Sequence, residues 1–383
     1  MSTPIYLDYA AATPLDERVF VVMQPYFSEK FYNPSAAYAA ARDVRRDLDE
    51  ARHRLATSIG GKRDEIVLTA GATESVNLAF RGILEPDNHI VIGATEHAAV
   101  RGVAAEYQVT YAKSDAKGII SPESVAAVLT DDTKLVSIAA ADSELGVVQP
   151  LAKIAALLGE VRRDRAKRGI NTPLYFHSDA SQAAGAIDLH VARLGIDLLT
   201  LNAAKCYGPK QVGLLWVASH VTLKPLIPGG GQERGLRSGT ENVAGTIGFA
   251  RALQCAIKDR HSESNRVRRL RDQLQDTLVT ALPDLVVNGS QKKRLPGHLN
   301  VSLDGLDAER VVFRLDNEGV QVATGAACAA NKGTRSNVLT AIGLSDSMAD
   351  GSLRFSLGRQ TTDEDIERAG NLIVDAIRHE ATL

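Results

Sequence analysis

A lysine and an aspartate follow two apolar runs of this chain. Lys205 comes after the run 196–201 and before a turn at Gly208 and Pro209, and Asp179 leaves another apolar run 26 positions earlier. Pyridoxal phosphate (PLP) needs such a pair, because a lysine amine binds its aldehyde as a Schiff base and an acid keeps its pyridinium nitrogen protonated. A lone lysine after a strand is usually a surface residue, so this interpretation depends on the rest of the chain.

The segment 69–75 is a turn of small residues that follows a predicted strand and opens a predicted helix. A helix N-terminus offers backbone N–H groups and the positive end of the helix dipole to a phosphate. An ordinary helix cap with Thr73 and Glu74 explains the same residues. The glycine-rich stretch 229–240, which carries Arg234 and Arg237, is typical of a shaped loop that faces an anion.

Three further side chains could act on a substrate beside such a cofactor. His97 follows a predicted strand end, where an imidazole could stack on the pyridine ring and relay protons. Arg354 could bind a carboxylate with its planar fork. Cys328 lies among small residues between glycines, as an accessible loop thiol would. Each of these residues also has a structural alternative. His97 could be a structural histidine, Arg354 an ion-paired arginine and Cys328 a small buried thiol. Cys206 and Cys255 are expected to pack in the interior.

The composition is that of a globular protein with balanced charge. The chain has 383 residues, of which 44% are hydrophobic and 23% charged, and a formal net charge of -2. This length allows two domains, and the charge gives no argument for attraction to nucleic acid or to a membrane. No long apolar span, secretory signal, CxxC pattern or disulfide framework is visible in the sequence. We therefore expect a cytoplasmic protein.

Short apolar runs alternate with amphipathic helical patterns over most of the chain. The predicted strands are 65–69, 89–92, 134–138, 174–176 and 213–217, and the predicted helices are 36–58 and 150–167. This alternation predicts an α/β fold with a mostly parallel sheet wrapped by helices. Ligands of such sheets collect at the carboxyl ends of the strands, where Gly71, His97, Asp179 and Lys205 would meet.

The pattern changes after the glycine run 229–231. The chain continues with a long charged helix at 242–281, strands at 299–303 and 320–322, and a closing helix at 363–376. We place the domain boundary inside the long helix. Residues 13–257 are predicted to form a large cofactor-binding domain, and residues 1–12 and 258–383 a small α+β domain that carries the Cys328 loop.

Taken in order, several segments resemble the group I cysteine desulfurases, which are fold-type I PLP enzymes of the aminotransferase class-V family. The segments are 6–11, 33–35, 71–75, 95–97, 144–149, 179–182, 205–210, 237–240 and 354–359, so the resemblance runs over essentially the whole chain. It implies a seven-stranded sheet in the large domain and a homodimer with sites at the subunit interface. The implied reaction converts L-cysteine to L-alanine and leaves a persulfide on Cys328. An acceptor protein would then take the sulfur for iron–sulfur cluster assembly, tRNA thiolation or another thio-modification.

The resemblance also implies roles for individual residues. Lys205 would bind PLP, Asp179 would pair with the ring nitrogen, and His97 would stack on the ring. The other implied cofactor contacts are Ala72, Thr73, Asn202, Ala203 and Ala204 around the phosphate, Gln182 and Ser143 at the ring hydroxyl, and Thr240 at the phosphate of the neighbouring subunit. Asn33 and Arg354 would hold the substrate carboxylate. No resident metal site is expected, although Cys328 could transiently ligate an iron–sulfur cluster with a scaffold partner.

Several positions depart from the family pattern. Ala204 stands where histidine usually precedes the lysine, Asn202 replaces a serine, and Asp142-Ser143 replaces an asparagine pair. The cysteine loop reads Gly-Ala-Ala-Cys instead of Gly-Ser-Ala-Cys. Each lost hydrogen bond to a charged group would cost about 1.5–3 kcal/mol if nothing replaced it. These changes predict weaker retention of PLP, not its loss.

Two alternatives to the desulfurase remain open at this point. One is a selenocysteine lyase or another PLP enzyme that eliminates the β-substituent directly. The other is a weakly active scaffold for sulfur-carrier partners, which the changes at Ser143, Asn202 and Ala204 suggest. The small residues around Cys328 favour the desulfurase, because elimination alone needs no acceptor thiol.

Overall fold

The computed structural model describes residues 4–325 and 335–381. Its strands are β1 (Ile5–Tyr6), β2 (Ile66–Thr69), β3 (His89–Gly93), β4 (Gln108–Ala112), β5 (Thr133–Ser137), β6 (Tyr175–Asp179), β7 (Leu198–Asn202), β8 (Gly213–Val217), β9 (Val286–Val287), β10 (His298–Ser302), β11 (Val320–Gln321), β12 (Ala323–Thr324) and β13 (Ser352–Ser356). Its helices are α1 (Glu17–Met23), α2 (Pro25–Ser28), α3 (Ala39–Ser58), α4 (Ala72–Ile83), α5 (Ala98–Ala104), α6 (Pro122–Ala126), α7 (Leu151–Arg168), α8 (Val191–Leu194), α9 (Val243–Ala281), α10 (Ala308–Asn317), α11 (Asn337–Ala341), α12 (Asp346–Asp350) and α13 (Asp363–Ala381).

Within the described residues, a seven-stranded sheet has the order β2-β8-β7-β6-β5-β3-β4. The pairs from β7 to β4 are parallel, whereas β8 pairs antiparallel with both β7 and β2. The inner strands are short apolar runs because helices cover both faces of the sheet, as the complete burial of β8 illustrates. The predicted α/β fold with a mostly parallel sheet is confirmed.

A second part of the molecule surrounds a smaller sheet. Among the described residues this sheet has the antiparallel order β12-β13-β10-β9, and β1 pairs in parallel with β11 nearby. Helix α9 packs against both parts: Phe249 and Leu253 lie in the core beneath the seven-stranded sheet, and Leu270 and Leu274 lie in the core of the smaller sheet. On this ground we propose that the domain boundary lies within α9, near residue 258.

The segment from Asp8 to Thr13, here called the N-terminal strap, crosses from the smaller sheet to the larger one. The Tyr9 N–H donates to the Ser356 carbonyl of β13 (3.1 Å). At the other end, the Thr13 hydroxyl donates to the Ala204 carbonyl, 3.0 Å away and beyond the end of β7. The strap is therefore fixed to both parts of the molecule.

None of the helices within residues 4–325 and 335–381 is long and apolar enough to cross a membrane.

Candidate active site

A cavity of about 490 Å³ lies at the carboxyl ends of the central strands, between the two parts of the molecule. The predicted site residues that line it are Ala72, Thr73, His97, Ser143, Asp179, Gln182, Asn202, Lys205 and Arg354. Residues that are far apart in the sequence meet here because successive parallel strands end at the same edge of the sheet. The smaller part of the molecule closes the cavity with Val312, Thr324 and Arg354.

Lys205 ends a short 3-10 turn that directly follows β7. The Asn202 side-chain oxygen caps this turn by accepting a hydrogen bond from the Ala204 N–H (3.1 Å). The Lys205 Nζ donates to two carbonyls of the N-terminal strap, Ala10 O (2.7 Å) and Ala11 O (2.6 Å). The strap thus holds the amine in the cavity through two neutral carbonyl acceptors.

Asp179 ends β6, and its Oδ1 accepts a hydrogen bond from the Ser181 N–H (2.9 Å). Gln182, one residue further, donates from Nε2 to the Ala10 carbonyl (2.9 Å). The strand end and the N-terminal strap together fix the acid and the amide on the same side of the cavity as Lys205.

His97 is the N-cap of α5 and is open to the cavity. Its Nδ1 accepts a hydrogen bond from the Ala99 N–H (3.1 Å), so the proton of the neutral ring is assigned to Nε2. Loss of hydration lowers the pKa of His97 from its ordinary value; the Asp179 carboxylate raises it, and the Lys205 ammonium lowers it again. The ring is therefore neutral at pH 7 and presents its Nε2–H to the cavity as a hydrogen-bond donor.

The N-terminus of α4 forms an anion-binding edge of the cavity. Gly71 precedes the helix with a φ of 138°, and no side chain caps the helix at this position. The backbone at Gly71 also passes very close to β8, since a Cβ atom on Gly213 would lie 2.7 Å from the Gly71 Cα. The first N–H groups of the helix, at Ala72 and Thr73, are thereby left for a phosphate-like group.

Arg354 lies on β13 and is only 3% exposed. Its Nη2 donates to Asp8 Oδ1 (2.6 Å) and its Nη1 to the Ser143 carbonyl (3.1 Å). Its Nε is buried and has no hydrogen-bond partner among the described residues. Arg354 thus lines the cavity and is ion-paired with Asp8, and its binding of a substrate carboxylate stays a prediction.

Some predicted site residues do not line the cavity. Asn33 lies in an exposed turn, where its side-chain oxygen accepts from the Ser35 N–H (2.9 Å), and Thr240 is also exposed. Ala203 is fully buried, and Ala204 contacts the N-terminal strap through its carbonyl. Cys328 lies outside the described residues. The roles of these positions stay predictions.

The structure adds lining residues to which the sequence analysis assigned no role, including Asp8, Asp142 and Ser181. Asp142 shapes the loop before Leu145 by accepting N–H bonds from Glu144, Leu145 and Val147, and burial raises its pKa. The Ser181 hydroxyl is buried without a partner among the described residues. Asp8 lies in the segment 6–11 that carries the family resemblance, but its sequence neighbours do not predict its contact with the distant Arg354.

A buried acid lies directly behind the cavity. Glu96 is 2% exposed, and its Oε1 accepts from the N–H of the lining residue Ala139 (2.6 Å). Burial raises the pKa of Glu96 to about 8. The side chain is therefore neutral at pH 7.

The two described cysteines are unsuited to nucleophilic chemistry. Cys206 and Cys255 are both buried, and neither lines this cavity. Burial raises the pKa of Cys206 to about 12, which keeps its thiol protonated. In residues 4–325 and 335–381, no group of three or more His, Cys, Asp or Glu side chains is placed to hold a metal ion.

Comparison with known proteins agrees with this geometry. A family model described as Aminotransferase class-V matches residues 5–369. The chain is 38% identical to the cysteine desulfurase IscS of Dictyoglomus turgidum over 375 residues, which cover 96% of this chain and 92% of that protein. It is also 38% identical to cysteine desulfurase IscS 1 of Archaeoglobus fulgidus over 372 residues, covering 95% and 94% of the two chains.

Solved structures give the same result. A NifS-like protein superposes with a TM-score of 0.89 at 29% identity and covers 98% of this chain and 100% of its own. A structure of SspA in complex with cysteine superposes with a TM-score of 0.77 at 32% identity and covers 94% and 100%.

Proposed function

This chain belongs to the aminotransferase class-V family and, within it, to the cysteine desulfurases, and from this premise we propose how it acts on L-cysteine. The enzyme converts L-cysteine to L-alanine and transfers the sulfur to Cys328. The observation that carries the proposal is the single cavity in which Lys205, Asp179, His97 and Arg354 meet.

The proposed reaction balances without an external oxidant. The carbon–sulfur bond of L-cysteine breaks, a sulfur–sulfur bond to Cys328 forms, and the substrate Cβ takes up a proton. The substrate carbon is reduced to a methyl group while the transferred sulfur is oxidised to the persulfide level. The products are L-alanine and a Cys328 persulfide, whose outer sulfur a thiol of an acceptor or iron–sulfur scaffold protein would take.

The cavity fits PLP. Lys205 would hold the aldehyde covalently, Asp179 would face the ring nitrogen, and the α4 N-terminus at Ala72 and Thr73 would bind the phosphate. The buried Ser181 hydroxyl and Arg354 Nε, which have no partner within the described residues, are polar atoms that ligands could satisfy. When bound, PLP would supply the electron sink that stabilises negative charge at the substrate Cα.

The protein groups would bind the substrate and move its protons. Arg354 would bind the α-carboxylate with its fork of N–H donors. The Lys205 amine, which reaches the Ala10 and Ala11 carbonyls, would take the proton from the substrate Cα. His97, neutral at pH 7 with its proton on Nε2, would donate a hydrogen bond from Nε2 to the bound cofactor or substrate.

We further propose a cytoplasmic homodimer in which Thr240 reaches the phosphate site of the neighbouring subunit. The loop that carries Thr240 is tied to the start of α4, since Arg237 Nε donates to Glu74 Oε1 (2.8 Å). Phe27 and Phe31, each 66% exposed, would be covered by the second subunit. Large exposed aromatic side chains are typical of such interfaces.

The function is tested by incubating the holoenzyme with L-cysteine and a reductant and measuring alanine and sulfide. We expect equal amounts of both products from the wild-type enzyme. Cys328→Ser should abolish both products. Cys255→Ala, which removes a thiol that does not line the cavity, should leave both unchanged. Turnover that survives Cys328→Ser would instead show direct elimination. Bound PLP without any product would favour a scaffold.

A further inference from the structure

Asp8 lies between the N-terminal strap and the guanidinium that we assign to the substrate carboxylate. Its side chain lines the cavity, and its Oδ1 accepts from Arg354 Nη2 at 2.6 Å. In this structure the Asp8 carboxylate therefore already binds Arg354, the residue that we assign to the substrate carboxylate.

The two partners use only part of their bonding capacity. The Nε and Nη2 atoms of an arginine form one side of its fork and bind a carboxylate through two parallel bonds when the geometry allows. Here Asp8 takes Nη2, the Ser143 carbonyl takes Nη1, and Nε is buried without a partner in the described part of the chain. Asp8 thus uses the Nη2 donor of the Nε/Nη2 pair, and the two-bond contact is not formed because Nε is left over.

The backbone of Asp8 is fixed independently of this ion pair. The Tyr6 hydroxyl donates to the Asp8 carbonyl (2.7 Å), and the Tyr9 N–H donates to Ser356 O (3.1 Å). The strap that presents Asp8 also accepts from Lys205 through Ala10 and Ala11. One short segment therefore contacts the cation proposed for the substrate carboxylate and the amine proposed for the cofactor.

We propose that Asp8 is a positioning and specificity residue of the carboxylate site. It holds Arg354 when no substrate is bound, and an incoming α-carboxylate must displace it from Nη2 to complete the two-bond contact. The remaining negative charge also disfavours ligands that bring a second carboxylate. This inference rests on the proposed function, because it takes Arg354 as the ligand of the substrate α-carboxylate.

The test is the affinity of the holoenzyme for propionate, measured by saturation-transfer NMR, with the neutral isostere propionamide as the matched probe. Asp8→Asn keeps the acceptor oxygen but removes the charge that competes with the ligand. We expect propionate to bind at least about fivefold more tightly to Asp8→Asn, a change of about 1 kcal/mol, because the variant no longer offers a competing carboxylate to Arg354. Propionamide should bind both proteins equally.

Two controls separate this competition from a general change of charge or fold. In the Arg354→Gln background, Asp8→Asn should leave the affinity for propionate unchanged, because the residues act on the same bond. Asp16→Asn, which removes a carboxylate paired with Arg359 outside the cavity, should also change nothing. If Asp8→Asn is poorly folded by circular dichroism, Asp8→Ser removes the same charge.

Unchanged or weaker binding of propionate to folded Asp8→Asn and Asp8→Ser would overturn the inference, as would a gain that persists in Arg354→Gln. The proposed function is judged by a different measurement, the formation of alanine from L-cysteine by the wild-type enzyme. Tighter propionate binding without any alanine would support the role of Asp8 at Arg354 and contradict the desulfurase.

Discussion

The His97 ring has two functions that a substitution can separate. Its Nδ1 caps α5, and its Nε2–H is the proposed hydrogen-bond donor to the reacting atoms. Asparagine can cap a helix in the same way, but its shorter amide does not place an N–H at the position of Nε2. We predict that His97→Asn lowers kcat about 100-fold or more, the usual loss when one positioned hydrogen-bond donor is removed, while the melting temperature changes little. Steady-state kinetics and thermal unfolding check this, with His97→Ala as the variant that loses both functions.

The pH dependence of this residue has a definite sign. Because loss of hydration lowers the pKa of His97 from its ordinary value, the ring stays mostly neutral as the pH falls to that ordinary value. If neutral His97 is required, no decline of kcat near pH 6.5 should belong to this ring, and an acid limb at lower pH that does belong to it should vanish in His97→Asn. An acid limb near 6.5 or above that disappears in His97→Asn would contradict the assignment.

The positions beside Lys205 test the predicted weak retention of PLP. The Asn202 side-chain oxygen accepts from the Ala204 N–H, so the side-chain NH2 group remains to donate to a phosphate. Restoring a donor with Ala204→His should strengthen PLP binding by about 1.5–3 kcal/mol, or roughly tenfold to a hundredfold. Titration of the apoenzyme with PLP, followed by absorbance, measures this. Equal affinity of wild type and Ala204→His would show that another group already compensates.

The site residues that could be found from sequence are those that follow recognisable strand ends. Asp179 and Lys205 belong to this class, and both line the cavity. Asp8 could not be found this way, because its partner Arg354 lies 346 positions away and only the fold brings them together. Asp142 was noted only as a departure from the family pattern, and its three bonds to backbone N–H groups become visible only in the folded loop.

At the scale of elements, the loop between β3 and α5 places the neutral acid Glu96 behind the cavity. The unfolded chain releases this proton near the ordinary glutamate pKa, whereas the native protein keeps it until about pH 8. Glu96 therefore contributes stability at low pH that is lost as the pH rises through this window, by about 1.4 kcal/mol per pH unit at most.

We predict that Glu96→Gln removes this pH dependence and is more stable than wild type at pH 8. Denaturant unfolding at several pH values between 5 and 8 measures the difference in unfolding free energy between the two proteins. Glu50→Gln, on the exposed face of α3, is the matched control and should follow wild type. A constant difference between wild type and Glu96→Gln across this range would contradict the prediction.

The N-terminal strap depends on Thr13, which is 4% exposed. Its hydroxyl donates to Ala204 O and accepts from the Tyr207 N–H (2.9 Å). Thr13→Val should lower the unfolding free energy by about 1–3 kcal/mol, because it leaves a buried N–H without its acceptor. Denaturant titration checks this against Thr57→Val, whose exposed hydroxyl bonds only within α3. Equal losses in the two variants would show that the strap contacts add no stability.

Elements with a strong hydrophobic period were predictable, and those defined by distant contacts were not. Helices α7 and α9 match the predicted ranges within one residue at each end. Helix α3 begins at Ala39, after the turn at Asn33, instead of at residue 36. The edge strand β4 was not predicted, because it has a neighbour on one side only and carries polar residues such as Gln108 and Thr110.

At the scale of the whole molecule, the proposed dimer assembles each site from two chains. Lys205→Ala and Thr240→Ala would each damage the sites, but a mixed dimer would contain one site with both residues intact. We predict that refolding the two variants together restores about a quarter of the wild-type activity, given random pairing of subunits and two independent sites. Variants mixed without refolding are the control. No gain after co-refolding would contradict a site shared across the interface.

The central claim is that sulfur leaves L-cysteine and reaches Cys328 within one turnover. The most direct test is a single-turnover reaction of holoenzyme with L-cysteine in the absence of reductant, followed by mass spectrometry of the peptide that contains residue 328. We predict one added sulfur atom on Cys328 and an equal amount of alanine in solution, with no added sulfur on Cys206 or Cys255. Free sulfide with an unmodified Cys328 would contradict the account.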